Sequence, residues 1–389
     1  MSAEQRGAVA GVKEALAAQR RTARQLRAGV EQFRRIDRDE LGAGVTPRTT
    51  VHRDGKVQLY HFEPGVRASG SEPAGGDQGV RASGSEPAGG DQAASEAERR
   101  PVPLLIIYAL FTRWWMMDLA EDRSLIRGLL DHGLDVYLLD WGYPDRGDRY
   151  LELSDYVDGY VRDAVEVLRD RHGDQPVNLI GVCQGGVTSL CYAALYPDDV
   201  RNLVTMVTPV DFSQGDEIVS MWGRSADPDV AVDALGMIPG EMVSLGFLLR
   251  SPFERNLAKY LGMLDMVEDR EKLLSFLRME KWIFDTPDVP GETYRQWMND
   301  CYGANKLIRG ELEVGGRRVD LGNVTMPVLN IYAERDDLIP PASSIPLGDH
   351  VGTDDYTALS FDVGHIGMYV SGRVQRDLPA KVGAWLADR

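Results

Sequence analysis

The sequence predicts one α/β fold, built on a mostly parallel, doubly wound sheet with a helical insertion between two late strands. After residue 100, short apolar runs alternate with segments of helical pattern. These runs lack the polar alternation of half-exposed strands, so we expect helices to cover both faces of the sheet. A chain of 389 residues that is 43% hydrophobic can bury one large core with an insertion.

The core is expected to begin with an antiparallel hairpin, because residues 51–64 alternate around the pair Asp54-Gly55. Strands and helices then follow in turn. The predicted strands are 103–110, 135–142, 177–183, 202–210 and 326–334, with a final strand at the start of 356–370. The predicted helices are 124–133, 150–173 and 183–196. This order of elements predicts a sheet whose strand ends carry the functional loops.

Breaks in this pattern divide the chain into five parts. The segment GVRASGSEPAGGDQ occurs twice in tandem, and so polar a stretch cannot offset the entropy of ordering, which predicts a disordered loop. A long stretch rich in Met and Trp predicts a cap over the active site. The parts are a basic helical segment (1–40), the first part of the core (41–64 and 101–210), the tandem-repeat insert (65–100), the cap or lid (211–325) and the second part of the core (326–389).

The N-terminal segment is locally cationic, with nine Arg or Lys residues against four acids in residues 1–38. Its apolar residues recur at helical spacing, which predicts one or two amphipathic helices. Two interpretations stay open: the helices pack on the core with a solvated basic face, or they form a docking surface for an acidic partner or a granule surface.

The overall composition excludes several classes of function. A formal net charge of −17 disfavours nucleic acid as a partner. No run of about 18 apolar residues and no secretory signal is found, so we expect a cytoplasmic protein without a membrane span. The three cysteines fit neither a disulfide framework nor a zinc site, and no phosphate-binding loop occurs. No metal or organic cofactor is therefore expected.

The main chemical motif is Gly181-Val182-Cys183-Gln184-Gly185-Gly186, where a predicted strand gives way to a helix. Such a strained turn needs glycines beside the nucleophile so that neighbouring backbones can approach. The start of a helix also lowers the pKa of a thiol. The pattern therefore predicts a nucleophile elbow with Cys183 as the nucleophile, although the motif alone is short enough to occur by chance.

An oxyanion hole is expected beside this elbow. The backbone N–H of Gln184 is the natural first donor. A second donor is expected from the loop after the 103–108 strand, at Ala109, Leu110 or Phe111, and we take Leu110 as the candidate. Gly181 and Gly185 complete the predicted elbow.

An acid and a base follow the elbow in the order that the α/β-hydrolase fold requires. Asp336 follows the strand at 326–334 and is predicted to orient the base, with Asp337 as a competitor by position. His365 lies on a glycine-flanked loop after the last strand and is the predicted base. Cys191 is predicted to be a small buried residue, and Cys301 lies in the predicted cap and is assigned no role.

Four tryptophans are candidates for lining an apolar acyl channel, although aromatic residues of a cap usually pack its own core. They are Trp114, Trp115, Trp282 and Trp297.

Over roughly residues 40–388 the chain resembles the polyhydroxyalkanoate synthases, specifically the shorter class III type. The resemblance rests on PLLIIYALFTRWWMMDLAEDRSLIRGLL, DVYLLDWGYPD, GVCQGG, MEKWIFDTPDVPGETYRQW, the Asp336 loop and GHIGMYVSG. It implies an α/β-hydrolase fold with a catalytic triad of Cys183, Asp336 and His365. One departure is that family members often carry Asp-His where this chain has Asp336-Asp337.

The resemblance further implies polymerisation of hydroxyacyl-CoA thioesters such as 3-hydroxybutyryl-CoA through an acyl-cysteine intermediate. It implies a growing polyester chain, a second class III synthase subunit, a homo-oligomer and action at polyester granules in the cytoplasm. Two alternatives remain: a cysteine-nucleophile thioesterase or dienelactone-type hydrolase of the same fold, and a scaffold protein that has lost activity.

Overall fold

The computed structural model describes residues 35–36, 41–42, 44–63, 101–214, 227–249, 262–263, 266 and 269–389. The predictions for the tandem-repeat insert (65–100) and for almost all of the basic helical segment (1–40) lie outside the described residues. Parts of the predicted cap (211–325) also lie outside them.

An eight-stranded sheet forms the centre of the molecule, in the order β1-β2-β4-β3-β5-β6-β7-β8. Its strands are β1 Arg48–Asp54, β2 Val57–Phe62, β3 Pro103–Ile107, β4 Asp135–Asp140, β5 Val177–Val182, β6 Val200–Met206, β7 Val328–Ala333 and β8 Tyr356–Phe361. The β1–β2 hairpin pairs antiparallel with β4, and all other neighbours run parallel. This architecture confirms the predicted fold class.

Helices cover the sheet and fill the interval between β6 and β7. They are α1 Leu125–Asp131, α2 Arg162–Arg171, α3 Gln184–Leu195, α4 Pro228–Leu235, α5 Gly240–Leu249, α6 Arg270–Phe284, α7 Gly291–Gln296, α8 Pro341–Ser344, α9 Leu347–His350, α10 Gly367–Val370 and α11 Gly372–Ala387. None of the helices in the described part of the chain is long and apolar enough to cross a membrane.

Shorter elements connect these parts. The 3-10 helices are Trp114–Met117, Arg146–Asp148, Pro197–Asp199, Phe212–Gln214 and Leu321–Asn323, and the π-helices are Asp155–Val161 and Trp297–Gly303. The two-stranded ribbons pair Asp118–Ala120 with Arg123–Ser124, Met237–Ile238 with Val289–Pro290, and Glu313–Val314 with Arg317–Arg318.

The central strands are buried along their whole length, as their unbroken apolar runs predict. Every residue of β3 and of β5 is buried. Strand β3 ends at Ile107, three residues before the predicted end at 110, because the chain beyond it turns away from the sheet. There the hydroxyl of Tyr108 donates to Asp140 at 2.8 Å. The carboxyl ends of β3, β5, β7 and β8 therefore meet at one edge of the sheet.

Helices between β6 and β7 lie over this edge and are bonded to the core. The indole Nε1 of Trp282 in α6 donates to the backbone oxygen of Arg113 at 2.9 Å. The hydroxyl of Tyr143 donates to the carboxylate of Asp285 at 2.9 Å. These bonds hold the end of α6 against the loops that follow β3 and β4.

Candidate active site

Cys183 lies at the turn between β5 and α3 in a strained backbone conformation, with φ 54° and ψ −122°. Its N–H donates to the backbone oxygen of Met206 at 2.8 Å, which fixes the turn to β6. Glycines flank it because the surrounding backbone is close. A Cβ atom on Gly181 would lie 2.5 Å from Cα of Gly186, and one on Gly185 would lie 2.3 Å from the oxygen of Ile107. The local geometry is that of a nucleophile elbow.

Asp336 and His365 lie together at the carboxyl ends of β7 and β8. Nδ1 of His365 lies 2.7 Å from Oδ2 of Asp336. The other carboxylate oxygen, Oδ1, accepts the N–H groups of Leu338 at 2.9 Å and Ile339 at 2.8 Å, so the carboxylate is held from both sides. The neighbouring Asp337 is exposed.

The imidazole of His365 is also hydrogen-bonded to the side chain of Cys183, and these contacts control its protonation. Burial lowers the pKa of His365 by disfavouring the imidazolium. The hydrogen bonds to Asp336 and Cys183 and their negative charges outweigh this effect and raise the pKa to about 10. Because Nδ1 of the imidazole faces Asp336, the other ring nitrogen, Nε2, is available to interact with Cys183.

Gln184 begins α3 and ties the elbow to the loop after β3. Its side-chain Oε1 accepts the N–H of Leu110 at 2.9 Å. The predicted second oxyanion donor is therefore engaged by a side chain in this structure, and the choice among Ala109, Leu110 and Phe111 stays a prediction. The amide Nε2 of Gln184 is buried and has no hydrogen-bond partner among the residues that the structure describes. The side chain of Gln184 therefore links the elbow to this loop.

A cavity of about 340 Å³ opens beside Cys183 and His365. Most of its lining is apolar. The lining residues are Tyr108, Ala109, Phe111, Thr112, Arg113, Met116, Met117, Val182, Cys183, Gln184, Pro209, Ser244, Met279, Trp282, Ile283, Thr286, Trp297, Tyr302, Leu338, Ile339, His365, Ile366 and Tyr369. Such a space fits a short acyl group better than a highly polar ligand.

Of the four tryptophans considered for an acyl channel, Trp282 and Trp297 line the cavity. Trp114 and Trp115 are instead buried in the core, where the Trp114 ring packs edge-on against Phe62 at 5.7 Å.

The other two cysteines are buried away from the cavity lining. Burial raises the pKa of Cys191 to about 12 and also raises that of Cys301. These thiols are poor nucleophiles, since the thiolate is the reactive form.

Two features of the cavity were not singled out from the sequence. Tyr369, inside the motif GHIGMYVSG, lines it beside His365. Ser244 in α5 and Thr286 after α6 form a hydroxyl pair 2.6 Å apart in its wall. The spacing of four residues from His365 is a signal for Tyr369, whereas the Ser244–Thr286 pair depends on tertiary contacts alone. Among the described residues, no group of three or more His, Cys, Asp or Glu could hold a metal ion.

Comparison with known proteins gives consistent matches. A family model described as the alpha/beta hydrolase fold matches residues 102–371. A poly(3-hydroxyalkanoate) polymerase subunit PhaC of Synechocystis sp. is 48% identical over 368 residues, which cover 93% of this chain and 89% of that protein. The protein of the same name from Allochromatium vinosum is 46% identical over 366 residues, covering 94% of this chain and 95% of its own.

Proposed function

The chain belongs to the family of poly(3-hydroxyalkanoate) polymerase subunits within the alpha/beta hydrolase fold, and we propose that it polymerises (R)-3-hydroxyacyl-CoA into polyester with release of CoA. The observation that carries the proposal is the contact of Cys183, His365 and Asp336 at the mouth of an apolar cavity. We take these three residues as the catalytic triad of an acyltransferase, with 3-hydroxybutyryl-CoA as the expected substrate.

In the first half-reaction, Cys183 gives its proton to Nε2 of His365, and the thiolate attacks the carbonyl carbon of the thioester. The backbone N–H of Gln184 and a donor from the loop after β3 stabilise the oxyanion. The bond from carbon to the sulfur of CoA then breaks, and the imidazolium protonates the departing CoA thiolate. Asp336 holds the imidazole in the orientation and tautomer that both transfers need.

In the second half-reaction, the hydroxyl of another hydroxyacyl unit attacks the acyl-cysteine. Its proton passes to His365, a carbon–oxygen bond forms, and the bond from carbon to Sγ of Cys183 breaks. The thiolate and the imidazolium are thereby regenerated. An acyl-cysteine keeps the reactivity of a thioester, which an acyl-serine would lose, and this explains a cysteine at the elbow.

The cavity walls support polymerisation over hydrolysis. Water reaching the acyl-cysteine would release free hydroxy acid. The side chains of Met279, Trp282 and Ile283 from α6 line the same cavity as the nucleophile and give it apolar walls. Exclusion of water by these groups favours attack by an organic hydroxyl.

We also propose a second, non-catalytic synthase subunit as a partner, together with homo-oligomers and action at the surface of polyester granules. The relatives carry the word subunit in their names, which supports a multi-subunit enzyme. The cationic residues 1–36 are the proposed docking segment for the second subunit. Deleting them should abolish co-purification of the two subunits, and unchanged association would contradict this assignment.

The test of the function is to incubate the chain with its second subunit and 3-hydroxybutyryl-CoA, follow thiol release, and analyse the product. The wild type and Cys191→Ala should release CoA and form polymer, and Cys183→Ala should do neither. Free 3-hydroxybutyrate as the main product would instead indicate a thioesterase of the same fold. Polymer formation by Cys183→Ala would overturn the assigned nucleophile.

A further inference from the structure

Tyr369 occupies a position beside the triad to which the mechanism above gives no role. It lies in α10, the short helix that starts two residues after His365. Its ring centroid lies 5.9 Å from that of His365, at an interplanar angle of 57°. The side chain is 7% exposed and lines the cavity together with Cys183. The phenol is therefore placed in the space where the acyl group must react.

The hydroxyl of Tyr369 has no partner among the residues that the structure describes. Two other buried tyrosines are paired, since the hydroxyl of Tyr108 donates to Asp140 at 2.8 Å and that of Tyr192 donates to Asp199 at 2.9 Å. Tyr369 lines the cavity, and a phenol hydroxyl usually forms a hydrogen bond where a partner is available. A polar group of the substrate that enters the cavity would provide a hydrogen-bond partner for the hydroxyl of Tyr369.

The phenol of Tyr369 is a hydrogen-bond donor at neutral pH. Burial raises the pKa of Tyr369 well above its ordinary value, and the negative charges of Cys183 and Asp336 raise it further. Tyr369 therefore keeps its proton and can donate to an oxygen of the substrate.

Two substrate oxygens could accept a hydrogen bond from Tyr369: the oxyanion of the thioester and the oxygen of the attacking hydroxyl. The positions of the helices and loops around the cavity distinguish between them. The oxyanion of the thioester faces donors from the loop after β3 and from the start of α3, at Gln184. Tyr369 follows the His365 loop instead, on the side of the imidazole. That is the side to which an attacking hydroxyl must come to deliver its proton.

We propose that Tyr369 binds and orients the attacking hydroxyl: the phenol donates a hydrogen bond to the oxygen of the hydroxyl that attacks the acyl-cysteine, and His365 alone activates that hydroxyl by taking its proton. This inference rests on the proposed function. One lone pair of the attacking oxygen accepts from Tyr369, the second forms the new bond to the carbonyl carbon, and the proton passes to Nε2 of His365. Sγ of Cys183 leaves as the thiolate, so atoms and charges balance without another reactant.

The test separates the two half-reactions in the Tyr369→Phe variant, which keeps the ring and removes the hydroxyl. Butyryl-CoA lacks the attacking hydroxyl, so its burst of CoA release reports acylation alone. We expect this burst to match the wild type within about twofold. With 3-hydroxybutyryl-CoA, steady-state turnover should fall about tenfold or more, because the variant lacks one hydrogen bond to the attacking hydroxyl in the second half-reaction.

A matched control is Tyr156→Phe, because Tyr156 is buried against Trp141 and does not line the cavity. It should leave both rates unchanged. If Tyr369→Phe slows the butyryl-CoA burst as much as polymerisation, or changes neither, the proposal is wrong. Failure of the proposed function would look different, since the wild type itself would then form no polymer. A folding defect would lower the burst amplitude, and rates normalised to that amplitude still decide the question.

Discussion

Nδ1 of His365 lies 2.7 Å from Oδ2 of Asp336, and both side chains are more than nine-tenths buried. Two backbone N–H groups hold the other carboxylate oxygen, so the orientation of the imidazole depends on this one aspartate. The adjacent Asp337 is exposed and offers a matched comparison at the same loop.

We predict that Asp336→Asn lowers kcat by about three to four orders of magnitude, because an amide can stabilise the wrong tautomer of the imidazole. Asp337→Asn should stay within about twofold of the wild type. Steady-state release of CoA from 3-hydroxybutyryl-CoA measures both. Equal losses in the two variants would assign the orienting role to the loop rather than to Asp336.

The three thiols should differ in reactivity. Cys183 is partly exposed at the start of α3 and contacts an imidazole, whereas Cys191 and Cys301 are buried. Iodoacetamide should therefore modify Cys183 at least about tenfold faster than either of the others in the native protein. Mass spectrometry of the labelled peptides measures this difference, and after denaturation all three cysteines should react. Labelling of Cys301 at the rate of Cys183 would argue against an activated nucleophile.

The free energy of unfolding should depend on pH through His365. Its pKa is raised from 6.5 to about 10 in the folded chain, so the folded state binds this proton more tightly than the unfolded state does. The resulting stabilisation is complete below about pH 6.5 and is lost as the pH rises through about 10.

Urea titrations of the wild type and His365→Gln at several pH values measure this contribution. The difference in unfolding free energy between the two proteins should shrink from pH 6.5 to pH 10. His350→Gln, which alters an exposed side chain, should keep the wild-type dependence. A difference that does not vary with pH would show that His365 holds no extra proton when folded.

The elbow should not tolerate a methyl group at Gly185. A Cβ atom there would lie 2.3 Å from the backbone oxygen of Ile107, so α3 or β3 would have to move. Gly185→Ala should destabilise the fold by about 1–3 kcal/mol and reduce activity. Gly159→Ala is the control, since a Cβ atom at that position meets nothing within 4 Å. Urea denaturation of both variants checks the prediction, and equal stability would show that the elbow can relax.

Much of the fold could be predicted because burial on both faces of the central strands leaves a clear apolar signal. The strand at 135–142 and the start of the helix after Cys183 were placed within a few residues of β4 and α3. The helix predicted at 150–173 was less accurate. Its regular part begins at Asp155 as a π-helix and ends at Arg171. Apolar periodicity does not distinguish a π turn from an α turn, so the sequence could not show this change.

The sequence could indicate a site residue only where that residue lies on a loop after a predicted strand. Cys183 directly follows β5, Asp336 and His365 lie three and four residues after the ends of β7 and β8, and parallel strands bring their carboxyl ends together. The use of the Leu110 N–H by the side chain of Gln184 could not be foreseen, because it joins residues 74 positions apart. The orientation of α6 over the cavity likewise depends on long-range bonds such as that from Trp282 to Arg113.

Strands β2 and β3 lie on either side of β4. Tyr137 of β4 pairs with His61 on one side and with Leu105 on the other, so the end of β2 and the start of β3 lie at the same height in the sheet. Chain ends about 10 Å apart, two strand spacings, are thus joined by the 40 residues between Phe62 and Pro103. Both attachment points lie at the edge of the sheet opposite Cys183. Removing the copy Gly79–Gln92 would leave 26 of these 40 residues, and an extended chain spans about 3.3 Å per residue. The shorter connection would still reach across the gap, so we expect the number of repeat copies to change without moving β2, β3 or the residues at the opposite edge of the sheet.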